Sequence, residues 1–245
     1  MHYQIRGEGK PAVYVHPIVS HGGSAPRLTN NRQWICVDLQ GHGRTLDIDR
    51  PMTVEQHADD IAGLLKHLEI AEADFFGDSF GGVIAVTLAV RHPKLVRKIA
   101  TYGSPLTPLP KEIVEVVKSD SNLMRWEREE FQKVAPDSKQ WEKMFSRSLK
   151  SGAEWKGFSA IELKQITAPV LIACGDHDLI PIERCIELSR LIPNAQLAVI
   201  PDASHFVLFS EPNKLLPVLV DFFDAPAKKT PLSSMQSGFY PGETR

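Results

Sequence analysis

Apolar residues recur along this chain in two alternating periods. Continuous apolar or β-branched runs at 12–16, 33–38, 73–77, 96–102, 169–174 and 195–200 predict strands, with 3–6 as a candidate edge strand. Unbroken apolar character, rather than strict alternation, suits strands covered on both faces. Between these runs the period changes to that of helices. Thr53-Val54-Glu55-Gln56 has capping-box spacing and opens a helix whose Ala58, Ile61, Leu64, Leu65 and Leu68 share one face. Further helices are predicted at 80–91, 182–192 and 213–223. Strand and helix alternating in this way specify an α/β domain: a mostly parallel central sheet with helices on both faces.

Two segments break the alternation. Residues 105–167 combine charged, helix-like stretches with scattered Trp126, Trp141 and Trp155 and have no strand pattern, so they are expected to form a helical cap inserted into a domain spanning 1–224. Leu106, Leu109, Leu123, Met124, Trp126, Phe131, Trp141, Phe145 and Phe158 of that cap are candidates for an apolar pocket lining or for plain core. From Ala225 onward proline, lysine and small polar residues dominate, and 225–245 is expected to be a disordered tail.

Composition narrows the chemistry. At 245 residues and 42% hydrophobic content the chain can bury one large core. Lysine and arginine total 28 against 30 acidic residues, a net charge of -2 that gives no footprint for nucleic acid or an anionic membrane. No apolar stretch approaches the roughly 18 residues of a membrane span, and the start lacks a signal-peptide pattern, so a cytoplasmic protein is expected. Cys36, Cys174 and Cys185 are odd in number and lack CxxC spacing, which fits buried thiols in a reducing compartment. With no HExxH and no dense His/Asp cluster beyond Asp176-His177-Asp178, neither a metal nor any other cofactor is expected.

The chemistry-bearing feature is the passage from the predicted strand at 73–77 through Gly77-Asp78-Ser79-Phe80-Gly81-Gly82 into an apolar helix. A serine on such a strand-turn-helix junction is strained and needs small neighbours, and it projects its hydroxyl at a helix N-terminus. Ser79 is the candidate nucleophile, and the Phe80 amide a candidate oxyanion donor. A hydroxyl becomes nucleophilic only when a base takes its proton and a carboxylate orients that base. His205, in the loop after the predicted strand at 195–200, is the candidate base. Asp176 and Asp178, beyond the strand at 169–174, are both candidate carboxylates. Of the other histidines, His42 is expected to bond loop backbone, and His57, His67 and His92 to sit at the surface or at helix ends.

From about residue 2 to 224 the chain resembles the α/β-hydrolase superfamily. The resemblance lies in Tyr3-Gln4-Ile5-Arg6-Gly7-Glu8-Gly9, in Asp38-Leu39-Gln40-Gly41-His42-Gly43-Arg44-Thr45, in the Ser79 turn, in 175–181 and in the His205 loop, in that order. It is closest in character to small bacterial serine esterases and enol-lactonases. The resemblance implies the order Ser79, Asp178, His205 for a triad, since the family's Gly-x-x-Asp pattern falls on Asp178, and a cap between the sixth and seventh strands. It also implies the Ile18 amide as second oxyanion donor. The pattern departs at His16-Pro17-Ile18, where proline stands for the family's glycine, and the short connection from His16 to Asp38 predicts a shortened or absent first helix. The implied activity is hydrolysis of a small-molecule carboxylic ester or lactone through an acyl-enzyme. Carbon-carbon bond hydrolysis, perhydrolysis and non-catalytic ligand binding are the other uses to which related proteins put the same fold.

Overall fold

The structure is a computed structural model and describes residues 1–25, 28, 31–108, 111–119 and 121–226. The segment 227–245, most of the expected tail, and Leu109 of the cap lie outside the described residues, as does the Leu123 side chain.

Seven strands form one sheet: β1 (Tyr3–Arg6), β2 (Lys10–Val15), β3 (Arg32–Val37), β4 (Ala73–Asp78), β5 (Val96–Tyr102), β6 (Val170–His177) and β7 (Ala195–Ser204). Their spatial order is β1-β3-β2-β4-β5-β6-β7, and only β1 runs antiparallel to its neighbour. β2 and β4 are fully interior and carry the apolar runs that made the strands legible. Val13 faces Ile35 across one ladder and Phe75 across the other.

Side chains alternate between two cores. Val13, Val15, Ile35, Val37 and Phe75 pack with α1 (Val54–His67), α2 (Phe80–Arg91) and α7 (Ile182–Leu191). Tyr14, Trp34, Cys36, Phe76 and Tyr102 pack with α9 (Pro212–Asp224), through Leu215, Leu219, Phe222 and Phe223. α2 is apolar on every side and buried from Phe80 to Ala89, as a helix sandwiched between sheet and neighbours must be. α1 is amphipathic, and its Thr53 cap accepts the Gln56 amide at 3.1 Å. His57 departs from expectation: it is buried on the Val54, Ala58 and Ile61 face of α1, with its ring 6.4 Å from that of His42.

Between β2 and β3 the described residues form only a one-turn 3₁₀ helix, Gly22–Ser24. Ala25 and Leu28 cover this part of the second core instead, beside Trp34. The Arg6 guanidinium fixes the loop by donating to the carbonyls of Ala25 (2.8 Å) and Gly23 (3.0 Å).

Four helices lie between β5 and β6: α3 (Lys111–Lys118), α4 (Asn122–Val134), α5 (Trp141–Glu154) and α6 (Ala160–Lys164). On this seven-stranded sheet that insertion falls between the fifth and sixth strands, one strand earlier than the resemblance implied, because only five strands precede it. Met144 and Leu149 of α5 join the first core, and Arg147 donates to the Asp47 carboxylate (2.6 and 2.7 Å) and to the Arg50 carbonyl. α4 and α5 meet through Phe131 edge-on to Trp141. The helices that roof the sheet's C-terminal edge are thereby anchored to the loops beneath. A short helix, α8 (Val207–Ser210), follows β7 and completes the set.

Candidate active site

Ser79 occupies the turn between β4 and α2 at φ 51° and ψ −120°, a conformation that costs a non-glycine residue free energy and persists only where neighbours enforce it. Its amide donates to the Tyr102 carbonyl (2.8 Å) and its carbonyl accepts from Gly82 (3.0 Å). A Cβ on Gly81 would lie 2.0 Å from the Val15 carbonyl oxygen, so glycine there lets the turn press against β2.

His205, at the end of β7, meets Ser79 from the opposite side. Its Nε2 lies 3.1 Å from Ser79 Oγ, and its Nδ1 lies 2.8 Å from Asp178 Oδ1. The Asp178 side chain is fully buried and accepts the Ile180 amide at 2.9 Å, with a longer contact of 3.4 Å from Gly175. Asp176, the other candidate, instead accepts the Ala203 amide at 3.1 Å and is partly exposed; His177 points to solvent. Three residues from three strand ends therefore form one hydrogen-bonded row. With Nδ1–H directed at the carboxylate, Nε2 is left as the proton acceptor for the hydroxyl. Burial alone would lower the His205 pKa, but the bond to Asp178, its charge and that of Asp78 outweigh burial and raise it.

Gly103 is a contributor that sequence reasoning missed. It follows β5 at φ 55°, and a Cβ there would lie 2.8 Å from His205 Nδ1 and 3.0 Å from Asp178 Oδ2. Only a glycine leaves room for the two side chains to meet. Its position straight after a strand, in Tyr102-Gly103-Ser104, was the available signal.

Ile18 and Phe80 both line the cavity in front of Ser79. Phe80 opens α2, so its amide has no intrahelical partner. Among the described residues none accepts the amide hydrogen of either. The proline that breaks the family pattern is absorbed by a turn: the Pro17 carbonyl accepts the Ser20 amide (3.3 Å) and the His16 Nδ1 hydrogen (2.7 Å). His16 Nε2 in turn accepts the Leu39 amide (3.2 Å), which fixes one neutral tautomer, and burial holds this ring well below the usual imidazole range. His42 bonds loop backbone as expected, lying 2.9 Å from the carbonyls of Ile18 and of Gln40. A neutral ring carries one hydrogen and donates to one of them at a time. The two histidines hold the 16–20 turn from below.

The cavity has a volume of about 350 Å³ and is walled mainly by apolar residues, among them Val19, Met124, Leu149, Ile180 and Phe206. Of the expected pocket residues, Met124 and Trp126 line it, whereas Leu106, Phe131, Trp141, Phe145 and Phe158 belong to or pack against the core. Two carboxyls also face it, Asp78 and Glu127, and no lysine or arginine does. Among the described residues no group of three or more His, Cys, Asp or Glu could hold a metal ion, no helix is long and apolar enough to cross a membrane, and all three cysteines are buried and free.

A match to the alpha/beta hydrolase family spans residues 14–217. The chain belongs to this family. It is 24% identical over 247 residues to the 2-hydroxymuconate semialdehyde hydrolase of Pseudomonas putida, covering 89% of this chain and 88% of that one. Among solved structures it is similar to a thermophilic esterase from Thermogutta terrifontis (TM-score 0.75, 22% identity, 91% and 92% of the two chains). It is also similar to Est816, described as an N-acyl homoserine lactone degrading enzyme (TM-score 0.70, 27% identity, 90% and 96%).

Proposed function

We propose that this hydrolase cleaves a small carboxylic ester or lactone by acyl transfer through Ser79. The observation that carries the reading is the row Ser79 Oγ, His205, Asp178, with contacts of 3.1 and 2.8 Å, opening on an apolar cavity. In this scheme His205 Nε2 takes the hydroxyl proton as Oγ attacks the carbonyl carbon, and Asp178 stabilises the imidazolium that forms. The amides of Phe80 and Ile18 bind the oxyanion. Collapse breaks the ester C–O bond, and His205 returns the proton to the departing alkoxide; in a lactone the alcohol stays attached to the acyl group. Water, deprotonated by the same nitrogen, then releases the acid and restores Ser79.

The likeness to a 2-hydroxymuconate semialdehyde hydrolase raises a second reading, in which the substrate is of that kind. Such a substrate carries an ionised carboxyl, and a buried anion needs a cationic partner. The absence of lysine and arginine among the cavity residues, where two acids stand instead, favours the ester or lactone. A panel of p-nitrophenyl esters of graded acyl length, simple lactones and 2-hydroxymuconate semialdehyde separates the two. Ester or lactone turnover and fluorophosphonate labelling are expected, both lost in Ser79→Ala. Turnover of the semialdehyde with inert esters and lactones would overturn the proposal, as would tight ligand binding without any turnover.

A further inference from the structure

The cavity holds two carboxyl groups for which acyl transfer has no use. Asp78 immediately precedes the nucleophile at the end of β4 and is 2% exposed; Glu127 comes from α4 in the roof and is 6% exposed. Both line the cavity. Neither makes an ion pair among the described residues, and Asp78 Oδ1 has no hydrogen-bond partner there. Burial pushes both carboxyls up to about 7; at Asp78 the His205 charge opposes the rise and Asp178 adds to it. At Glu127, Asp78 and Glu130 add to the rise, while a bond from the Ser20 hydroxyl opposes it. An unpaired buried carboxyl is costly to keep, and two in one cavity raise each other's cost. The remedy the cavity lacks is a cation.

Several walls would accept one. Trp126, the neighbour of Glu127 on α4, lines the same space, as do Phe206 and Phe209, and aromatic faces attract cations at close range.

We infer that Asp78 and Glu127 form a cation subsite, so that the preferred substrate is an ester or lactone bearing an ammonium group, and substrates bearing a carboxylate are turned away. The ammonium N–H groups donate to the two carboxylates while Ser79 attacks the carbonyl. The inference rests on the acyl-transfer reading for its choice of substrate, but the subsite can be measured without turnover.

Three p-nitrophenyl esters test it: one of an ω-amino acid, one of the alkanoic acid of equal length and one of the matching dicarboxylic acid. They are compared at about pH 8, where carboxyls titrating near 7 are ionised. In the unaltered protein the ammonium ester is expected to show about tenfold higher kcat/KM than the neutral one, the size of one charge-assisted contact, and the carboxylate ester a lower value than either. Glu127→Gln is expected to bring the ammonium-to-neutral ratio close to one, and Asp78→Asn to lower it; the ratio cancels any general loss of activity. Hexylammonium is expected to inhibit the unaltered protein more strongly than hexanol, which needs no variant to fold. Equal inhibition by the two, or a ratio unchanged in both variants, would overturn the inference. Calorimetric binding of hexylammonium to Ser79→Ala separates the two readings: a protein that binds it yet cleaves no ester keeps the subsite and loses the acyl-transfer chemistry.

Discussion

Replacing Gly103 by alanine tests whether the base is held by space as well as by bonds. The new Cβ would lie 2.8 Å from His205 Nδ1 and 3.0 Å from Asp178 Oδ2, inside the distance that real Cβ atoms keep. Relief requires the imidazole to retreat by roughly half an ångström, because the packed surroundings do not deform freely. A misplacement of about 1 Å in a reacting group costs on the order of 10²-fold, so kcat/KM for a p-nitrophenyl ester is expected to fall about 10- to 100-fold. Alanine at φ 55° adds roughly 1–2 kcal/mol of backbone cost. A domain with about 5–15 kcal/mol of stability survives that loss largely folded, so the defect is read on native protein. Thermal denaturation gives the stability change, ester hydrolysis the catalytic one, and the rate of fluorophosphonate labelling reports Ser79 nucleophilicity directly. Labelling and hydrolysis should slow together. A Gly103→Ala protein with unaltered kcat/KM and labelling would refute the claim that the spacing of His205 and Asp178 depends on this glycine.

Gly63→Ala is the contrasting substitution: a Cβ on this residue of α1 meets nothing within 4 Å, so it should stabilise the protein by roughly 0.5–1 kcal/mol in denaturant unfolding, with activity unchanged. Asp178→Asn removes the hydrogen-bonded charge that outweighs burial and raises the His205 pKa. Catalysis needs the neutral ring, so the acid limb of the kcat/KM profile lies above the ordinary imidazole value of about 6.5 in the unaltered protein. It should move to lower pH in the variant, alongside a fall on the order of 10³- to 10⁴-fold; a limb that stays put would show that Asp178 does not set the titration.

The strands were legible because both faces of the sheet are covered, which leaves unbroken apolar runs that no surface segment would carry. Ser79 was legible for a related reason: the turn's shape imposes glycines at fixed offsets. What escaped were polar residues on buried faces. His57 shares a stripe with Val54, Ala58 and Ile61, and Glu127 shares one with Met124 and Phe131, at the three- and four-residue steps of a helix. Glu127 was hidden by its charged neighbours Arg125, Arg128, Glu129 and Glu130, which make the local sequence resemble a solvated face. The period put it inside all the same. A polar residue at a stripe position is either costly or useful, and here the two cases divide cleanly. His57 stacks beside His42 beneath the turn that presents Ile18, with burial holding its pKa down at about 3, so it is kept neutral as packing. Glu127 faces the cavity, where a substrate can supply the partner that the protein withholds. The turn at Pro17 could not have been read in this way. Its shape depends on His16 and His42, and the second of these lies 24 residues from the Ile18 carbonyl it approaches. A loop held by distant side chains has a form that only the assembled sheet decides.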